Sequence, residues 1–235
     1  MKTAALAFLA VAVAQPAAAA TRNYGVNGFD RIRVDGDYRV SVRNGVAPFA
    51  RAKGSPRALD SVSVAVEGKT LVVKVNRSAT WGGFGQNDSG PVEIEVGTHE
   101  LEAVQVNGAG VLSIDRADGL KFAIGAQGAG SVSVDRMAID QLTVTLMGAS
   151  NARLGGEVGK ASIVARGTAS LDAEKLSVKD AVVGVQGPSV IKLTATETAK
   201  VDAAGVATVA LAGTPSCIVK THGSASVSGC KKSRY

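Results

Sequence analysis

A glycine recurs through this chain at an almost constant interval of about twenty residues. The intervals between successive members are 18, 20, 20, 19, 20, 18 and 18 residues. The series comprises Gly90, Gly108, Gly128, Gly148, Gly167, Gly187, Gly205 and Gly223. From Gly108 onward, the residue two places after each of these glycines is Gly, Ala or Ser. A fixed period near twenty residues is typical of a solenoid, and we predict that the glycines from Gly108 to Gly223 form one tight corner per turn.

Between the glycines, apolar and polar residues alternate as they do in β-strands. Four and six residues after a corner lie apolar residues such as Leu112 and Ile114, separated by a polar residue. A second alternating segment precedes the next glycine, with the apolar triplet Phe122, Ile124 and Ala126 in the first repeat. Alternation of this kind points apolar side chains to one face of a strand and polar ones to the other. Each turn therefore carries at least two short strands.

A repeat of twenty residues cannot bury its single apolar face alone, so neighbouring repeats must stack around a shared core. The core must be narrow and aliphatic, because only 4% of all residues are aromatic and residues 123 to 234 contain none. The sequence thus predicts an all-β fold, a parallel β-helix with turns of about 20 residues. A β-sandwich of hairpins is the alternative, but Asn-Gly and Asp-Gly turns are missing at the places it requires.

The chain divides into a signal peptide, residues 1–20, and a single domain, residues 21–235. Lys2, an apolar run over 3–14 and the small residues 18–20 match the three parts of a signal peptide. Within the domain we expect irregular N-terminal turns over 24–106, with a Gly-rich loop at 77–90, and regular repeats over 107–230. No later segment approaches 18 uninterrupted apolar residues, so no transmembrane segment is expected in the mature chain.

The charge of the mature chain is modest and dispersed. Removal of residues 1–20 leaves 25 basic and 20 acidic residues, a net charge of +5. Neither a basic stripe nor a base-reading motif accompanies this charge, so nucleic-acid binding is not expected.

Motifs for catalysis or cofactor binding are also missing. His99 and His222 lie at opposite ends of the repeats, without a zinc-protease motif or paired cysteines at metal-ligand spacing. There is no nucleophile elbow and no Walker loop, and the Gly-Ala-Gly corners lack the third glycine of a dinucleotide fingerprint. We therefore predict a non-enzymatic protein without a metal or cofactor.

Asp115 and Asp135 are the carboxylates whose placement allows chemistry. Each precedes an arginine, Arg116 or Arg136, at the same position of adjacent repeats. Stacked about 5 Å apart, the two acids could act as a retaining-glycosidase pair or share a hard cation. The favoured interpretation is structural, with the arginines offsetting repulsion between the acids, because the next repeat has glycine at this position.

Trp81 and Phe84 are the aromatic residues of the 77–90 insertion. Aromatic side chains on loops often contact sugars or partner proteins, and solenoids diversify in their loops. The alternative is that Trp81 folds back to cover an open edge of the solenoid.

Cys217 and Cys230 form an even cysteine count in an exported chain, which favours one disulfide. They lie six residues before and seven residues after Gly223, so they could meet where the last turn closes. The bond would close a loop of about 13 residues and stabilise the fold by roughly 3 kcal/mol. A buried, free Cys217 is the alternative.

Five segments together resemble the head GIN-domain family, which is described as an auto-transporter adhesin. They are residues 28–34 (GFDRIRV), 66–73 (VEGKTLVV), 92–96 (VEIEV), 101–110 (LEAVQVNGAG) and 217–227 (CIVKTHGSASV). The resemblance implies a right-handed parallel β-helix without a known catalytic site. It also implies export by a Gram-negative-type cell, to the periplasm, the cell surface or the extracellular space.

The function predicted from these features is an adhesin-like module that binds a glycan or an envelope protein. It would bind through its stacked polar faces and through the loop that carries Trp81 and Phe84. One alternative is a polysaccharide-active enzyme that uses Asp115 and Asp135. Another is a structural protein of the cell envelope whose strands assemble with other copies.

Overall fold

The computed structural model describes residues 20–76 and 91–231, which form a β-solenoid of about six turns. The parallel β-helix predicted from the repeat is therefore confirmed. The strands before the regular repeats are β1 (Ala20–Tyr24), β2 (Arg31–Asp35), β3 (Arg39–Asn44), β4 (Phe49–Gly54), β5 (Val62–Glu67), β6 (Thr70–Val75), β7 (Glu93–Thr98) and β8 (Ala103–Gly108), with helix α1 (Pro56–Asp60) between β4 and β5. The strands that follow are β9 (Val111–Gly128), β10 (Ser131–Gly148), β11 (Asn151–Gly167), β12 (Ser170–Gln186), β13 (Val190–Gly205), β14 (Thr208–Ala212), β15 (Ser216–Gly223) and β16 (Ser226–Ser228).

Each coil from β9 to β12 is one long strand that bends twice and so contributes to three faces. In β9 the buried residues fall into three groups, Leu112 with Ile114, then Ala117, then Phe122 with Ile124 and Ala126. We call the segments that carry them, residues 111–115, 116–119 and 121–127, the first, second and third faces. The first and third faces are the two strands that the alternation predicted. The second face was missed in the sequence, because its first inward residue, Ala117 in β9 and Met137 in β10, comes three residues after the last inward residue of the first face and so breaks the alternation.

The inward positions of adjacent coils pair directly, which gives one continuous core. Leu112 of β9 pairs with Val132 of β10, and Phe122 pairs with Leu142. All of these side chains are buried, while residues beside them in sequence, such as Thr143, are exposed. The predicted inward columns of both strands are buried along the regular coils.

The corner glycines stack on one another along the solenoid. Their φ angles lie between +77° and +105°, a region that favours glycine. They are Gly108, Gly128, Gly148, Gly167, Gly187, Gly205 and Gly223. A Cβ on Gly148 would lie 2.8 Å from the carbonyl oxygen of Gly128. That same carbonyl accepts a hydrogen bond of 2.7 Å from the N–H of Ala149.

The small residue two places after each corner glycine points into the core. Ser150 and Ser189 are fully buried there. The Ser189 hydroxyl donates to the carbonyl of Gly167 at 2.8 Å, whereas the Ser150 hydroxyl has no hydrogen-bond partner among the described residues. Because this inward corner is tight, side chains larger than Ser do not occur at this position in the regular repeats.

The N-terminal strands do not stack in chain order. On the third face β2 lies between β6 and β8, and on the first face β3 lies between β7 and β9. Residues 31–44 therefore form a coil inserted between two coils that come later in the sequence. Gly36 makes the corner of this coil, with φ of +130°, and Gly108 packs directly on its carbonyl group. Gly90, with which the predicted series begins, lies outside the described residues.

Helix α1 closes the N-terminal end of the solenoid. The Ser55 side chain caps it by accepting a 3.2 Å hydrogen bond from the N–H of Ala58, and Pro56 occupies its first turn. Ala58 and Leu59 are buried in the core. Strands β1 and β4 run antiparallel to their neighbours beside the helix, and within the described ranges the outermost strands at this end, β1 and β5, are each paired on one side.

The inward and outward parity of the third face can be tested at two adjacent positions of β10. Leu142→Asp buries a charge in a column where Leu142 is 1% exposed, so we expect a loss of at least about 4 kcal/mol in unfolding free energy. Thr143→Asp places the same charge in solvent and should change the unfolding free energy by less than about 1 kcal/mol. Urea unfolding of both variants gives the comparison, and equal losses would contradict the strand register.

Candidate functional site

Asp115 and Asp135 occupy matching positions of adjacent coils, because the residues on either side of them pair in register. Asp115 is half-buried, and its Oδ1 accepts hydrogen bonds from the backbone N–H groups of Asn44 at 3.0 Å and Arg116 at 2.7 Å. Asp135 is exposed, and its carboxylate makes no hydrogen bond or ion pair within the described part of the chain. The two carboxylates therefore have different surroundings, and Asp115 holds backbone in place.

Arg116 continues the same set of contacts. Its Nε donates to the carbonyl of Asn44 at 3.1 Å, and its guanidinium lies 3.9 Å from a carboxylate oxygen of Asp118. The guanidinium packs so closely on Gly45 that a Cβ there would lie 2.1 Å from Nη2. Asp115 and Arg116 together fasten the turn after β3 to the first regular coil. These contacts support the structural interpretation of the acid pair.

Trp81 and Phe84 lie outside the described residues. The segment that contains them joins β6 on the third face to β7 on the first face. In the adjacent coil, the same connection between faces is the corner at Gly36.

Cys217 and Cys230 form a disulfide with a Cα–Cα distance of 5.7 Å, which confirms their predicted pairing. Cys217 stacks on Ala199 of the preceding coil and lies half-buried against the core. The N–H of Lys231 donates to the carbonyl of Pro215 at 3.0 Å. The disulfide and this hydrogen bond hold residues 229–231 to the last coil.

The third face carries a shallow trough of about 480 Å³ that crosses five parallel strands, β6, β2, β8, β9 and β10. Its middle is formed by the small outward residues Ala123 and Gly125 of β9. Gln105 of β8 lies on one side of them, and Thr143 and Thr145 of β10 lie on the other. The trough therefore offers hydroxyl and amide groups around a floor with almost no side chains.

Two arginines of β2 border this trough, and acidic neighbours balance both of them. Arg31 lies 3.7 Å from a Glu102 oxygen, and Arg33 lies 3.1 Å from Asp35 and 3.9 Å from Glu67. Lys74 donates to the opposite oxygen of Glu67, which lowers the pKa of that exposed carboxyl. The trough thus has hydrogen-bonding groups but little net charge, a chemistry suited to neutral polar ligands.

A second concavity of about 450 Å³ lies where β1 ends beside the start of β4. Tyr24 and Phe49 border it, and the guanidinium of Arg51 lies 4.9 Å from the Phe49 ring centre. The Phe49 ring rests on Gly97, where a Cβ would lie 2.4 Å from it. Partial burial raises the pKa of the Tyr24 phenol. Both aromatic side chains are thus partly committed to packing.

The described residues include no group of three or more His, Cys, Asp or Glu that could hold a metal ion. His99 and His222 are both exposed, and His222 lies beside the corner glycine of the last coil. Across residues 20–76 and 91–231, no helix is long and apolar enough to cross a membrane.

The family model described as "Putative auto-transporter adhesin, head GIN domain" matches residues 28–215. This chain belongs to the head GIN-domain family. A search of the curated proteins found no match.

Solved structures share the fold of this head GIN domain. An adhesin structure from Bacteroides fragilis has a TM-score of 0.81 at 20% identity, over 89% of this chain and 96% of the other. A lipid-binding protein from Parabacteroides distasonis has a TM-score of 0.70 at 18% identity, over 89% and 95%. Both functional descriptions carry the qualifier "putative". An adhesin of that species, qualified in the same way, has a TM-score of 0.72 at 12% identity, over 89% and 96%.

The family description makes this GIN domain adhesin-like and names no binding partner. Together with the internal disulfide, it indicates an exported protein. The likeness to the solved structures supports the fold alone.

The trough of this GIN domain was missed in the sequence. Thr143 and Thr145 could be recognised as outward residues, because the inward residues around them were identified. Arg31 and Arg33 reach the same surface as Gln105 only because β2 is inserted between β6 and β8. No local pattern shows that insertion.

The structural role of Asp115 can be tested against Asp135. Asp115→Ala removes two hydrogen bonds to backbone N–H groups, and we expect a loss of about 1–3 kcal/mol in unfolding free energy. Asp135→Ala should leave it within about 0.5 kcal/mol of the parent. Urea unfolding measures both, and unchanged stability of the Asp115 variant would refute the structural role.

Proposed function

We propose that this GIN domain is an exported adhesin-like module that binds a neutral, extended glycan in the trough of its third face. The observation that carries the proposal is the trough itself, which crosses five parallel strands and combines small floor residues with hydroxyl and amide groups. Localisation to the periplasm or the cell surface belongs to the same proposal.

The regular stacking of strands suits a repeating polymer. Parallel strands follow one another about every 4.8 Å, so a chain lying along the solenoid axis meets an equivalent position at each step. Gly125 and Ala123 let a sugar ring approach the sheet closely. Gln105, Thr143 and Thr145 can then donate and accept hydrogen bonds with its hydroxyl groups.

A neutral ligand fits this surface better than an anionic one. Arg31 and Arg33 each have carboxylate partners within 4 Å, so binding an anion would have to displace existing ion pairs. Hydroxyl groups can accept hydrogen bonds from the remaining guanidinium N–H groups without breaking those pairs.

The competing enzymatic function would use Asp115 and Asp135. Both hydrogen bonds of Asp115 go to backbone N–H groups, and both acids belong to the first face, away from the trough. The contacts of these residues therefore support binding over hydrolysis. Trp81 and Phe84, in the insertion after β6, remain proposed contributors to ligand contact.

Two glycines of one outward column provide a matched test. Gly125 lines the trough, and Gly184 lies in the same column three coils further on, outside it. Neither has a positive φ, and both have room for a Cβ. Gly125→Leu should fill the trough and weaken glycan binding at least about tenfold, whereas Gly184→Leu should not. Both variants should keep their stability within about 1 kcal/mol.

Binding is measured on an array of neutral and acidic polysaccharides, with titration calorimetry of the polysaccharides that bind. Neutral polysaccharides that bind the parent and the Gly184 variant, but not the Gly125 variant, would support the proposal. Equal binding by both variants would place the ligand elsewhere. Binding of phosphatidylcholine or phosphatidylglycerol vesicles without any polysaccharide binding would refute a glycan ligand.

A further inference from the structure

The two ends of the solenoid are built differently. At the N-terminal end, α1 connects β4 of the first face to β5 of the third, and its own residues Ala58 and Leu59 are buried in the core. Arg22 of β1 fastens this arrangement through hydrogen bonds to the carbonyl of Leu59 at 2.8 Å and to Asp60 at 2.6 Å. The core is covered at this end.

At the other end, the core columns continue into the last coil without a cover. Val219 of β15 stacks on Val201, yet Val219 is 41% exposed whereas Val201 is 1% exposed. Thr221, the next inward position, is exposed as well. The exposure arises because no further coil among the described residues packs on β15. A strip of the core is therefore open at the end of the third face.

The backbone of this last strand is open too. Within the described ranges, β15 pairs only with β13 and β16 pairs only with β14. Strand β15 is eight residues long and unbroken by Pro or a bulge. Its one Lys, Lys220, pairs with the outward residue Asp202 and so lies on the outer face. An unprotected edge of this kind is a template for pairing with another strand.

We propose that this open end is a self-association surface, at which β15 of two copies pair antiparallel about a two-fold axis. The closed N-terminal end decides the partner. At that end β5 is the outermost strand of the third face and pairs only with β6 among the described residues. Its inward residues Val62 and Val64 are 3% and 7% exposed, so it has no open strip of core to place on Val219 of a second copy. Two open ends can meet each other, and a two-fold contact between like surfaces closes as a dimer. The two Val219 columns then cover each other.

The test is the mass of the full exported chain in solution, by sedimentation equilibrium over a range of concentrations. The parent protein should be dimeric. Val219→Lys and Thr221→Lys place a charge in the joined core strip and should raise the dissociation constant at least about tenfold. Val182→Lys is the matched control, because Val182 is exposed on the outer face of β12, away from the end. It should remain dimeric.

All three substitutions are at exposed positions, and circular dichroism of each variant establishes that it is folded. A parent protein that stays monomeric up to about 0.1 mM, or a Val219 variant that dimerises normally, would overturn the proposal. Species larger than a dimer would contradict the closed N-terminal end. Hydrogen exchange provides a second readout, since the β15 amides should lose protection on dilution. Protection that persists in a monomer would show that the chain covers its own edge, and would also overturn the proposal.

Discussion

The close contact between stacked corner glycines is the constraint on which the rest of this fold depends. At four corners of the regular coils the glycine carbonyl accepts a hydrogen bond from a backbone N–H of the next coil, while the next corner glycine lies directly over it; these carbonyls belong to Gly108, Gly128, Gly148 and Gly205. A side chain at Gly128 or Gly148 would occupy the space that this hydrogen bond needs. The positive φ of each corner then turns the chain from the third face to the first within a few residues.

Because the corners fix the spacing of the coils, the side chains inside them have little freedom. Apart from Phe122 and Met137, the buried hydrophobic residues in the inward columns of the regular coils are Val, Ile, Leu or Ala, and the tight position after each corner accepts only Gly, Ala or Ser in these coils. The outward positions do not carry this restriction. A binding surface can therefore be varied without disturbing the core, as at the trough, where Ala123 and Gly125 lower the surface between larger neighbours.

The regular coils could be predicted from the sequence because their information is local. The twenty-residue spacing and the alternation around it identify the corner glycines from Gly108 to Gly223 and the inward residues of two faces. Gly36 carries the same signal, since Ile32 and Val34 precede it and Val40 and Val42 follow it at the spacing of the other corners. It escapes the series because its coil is inserted out of chain order, so the corner glycine that packs on it, Gly108, follows 72 residues later and not about twenty.

The remaining features depend on contacts distant in sequence. The insertion of β2 and β3 between later coils brings Arg31 and Gln105 into one surface and places Asn44 beside Asp115. A sequence pattern cannot show this order, because each of these strands alternates in the same way as its neighbours. The closed end at α1 and the open end at β15 likewise became apparent only from which edges are paired.

The most direct test of this account compares alanine substitutions at two glycines, one at a corner and one on an open strand. Gly148 has φ of +81°, and a Cβ added to it would lie 2.8 Å from the carbonyl oxygen of Gly128. A Cβ added to Gly184 would have no other atom within 4 Å. Urea unfolding should show a loss of about 2–4 kcal/mol for Gly148→Ala, and a change of less than about 1 kcal/mol for Gly184→Ala. Equal stability of the two variants would contradict the claim that the glycine corners hold the solenoid together.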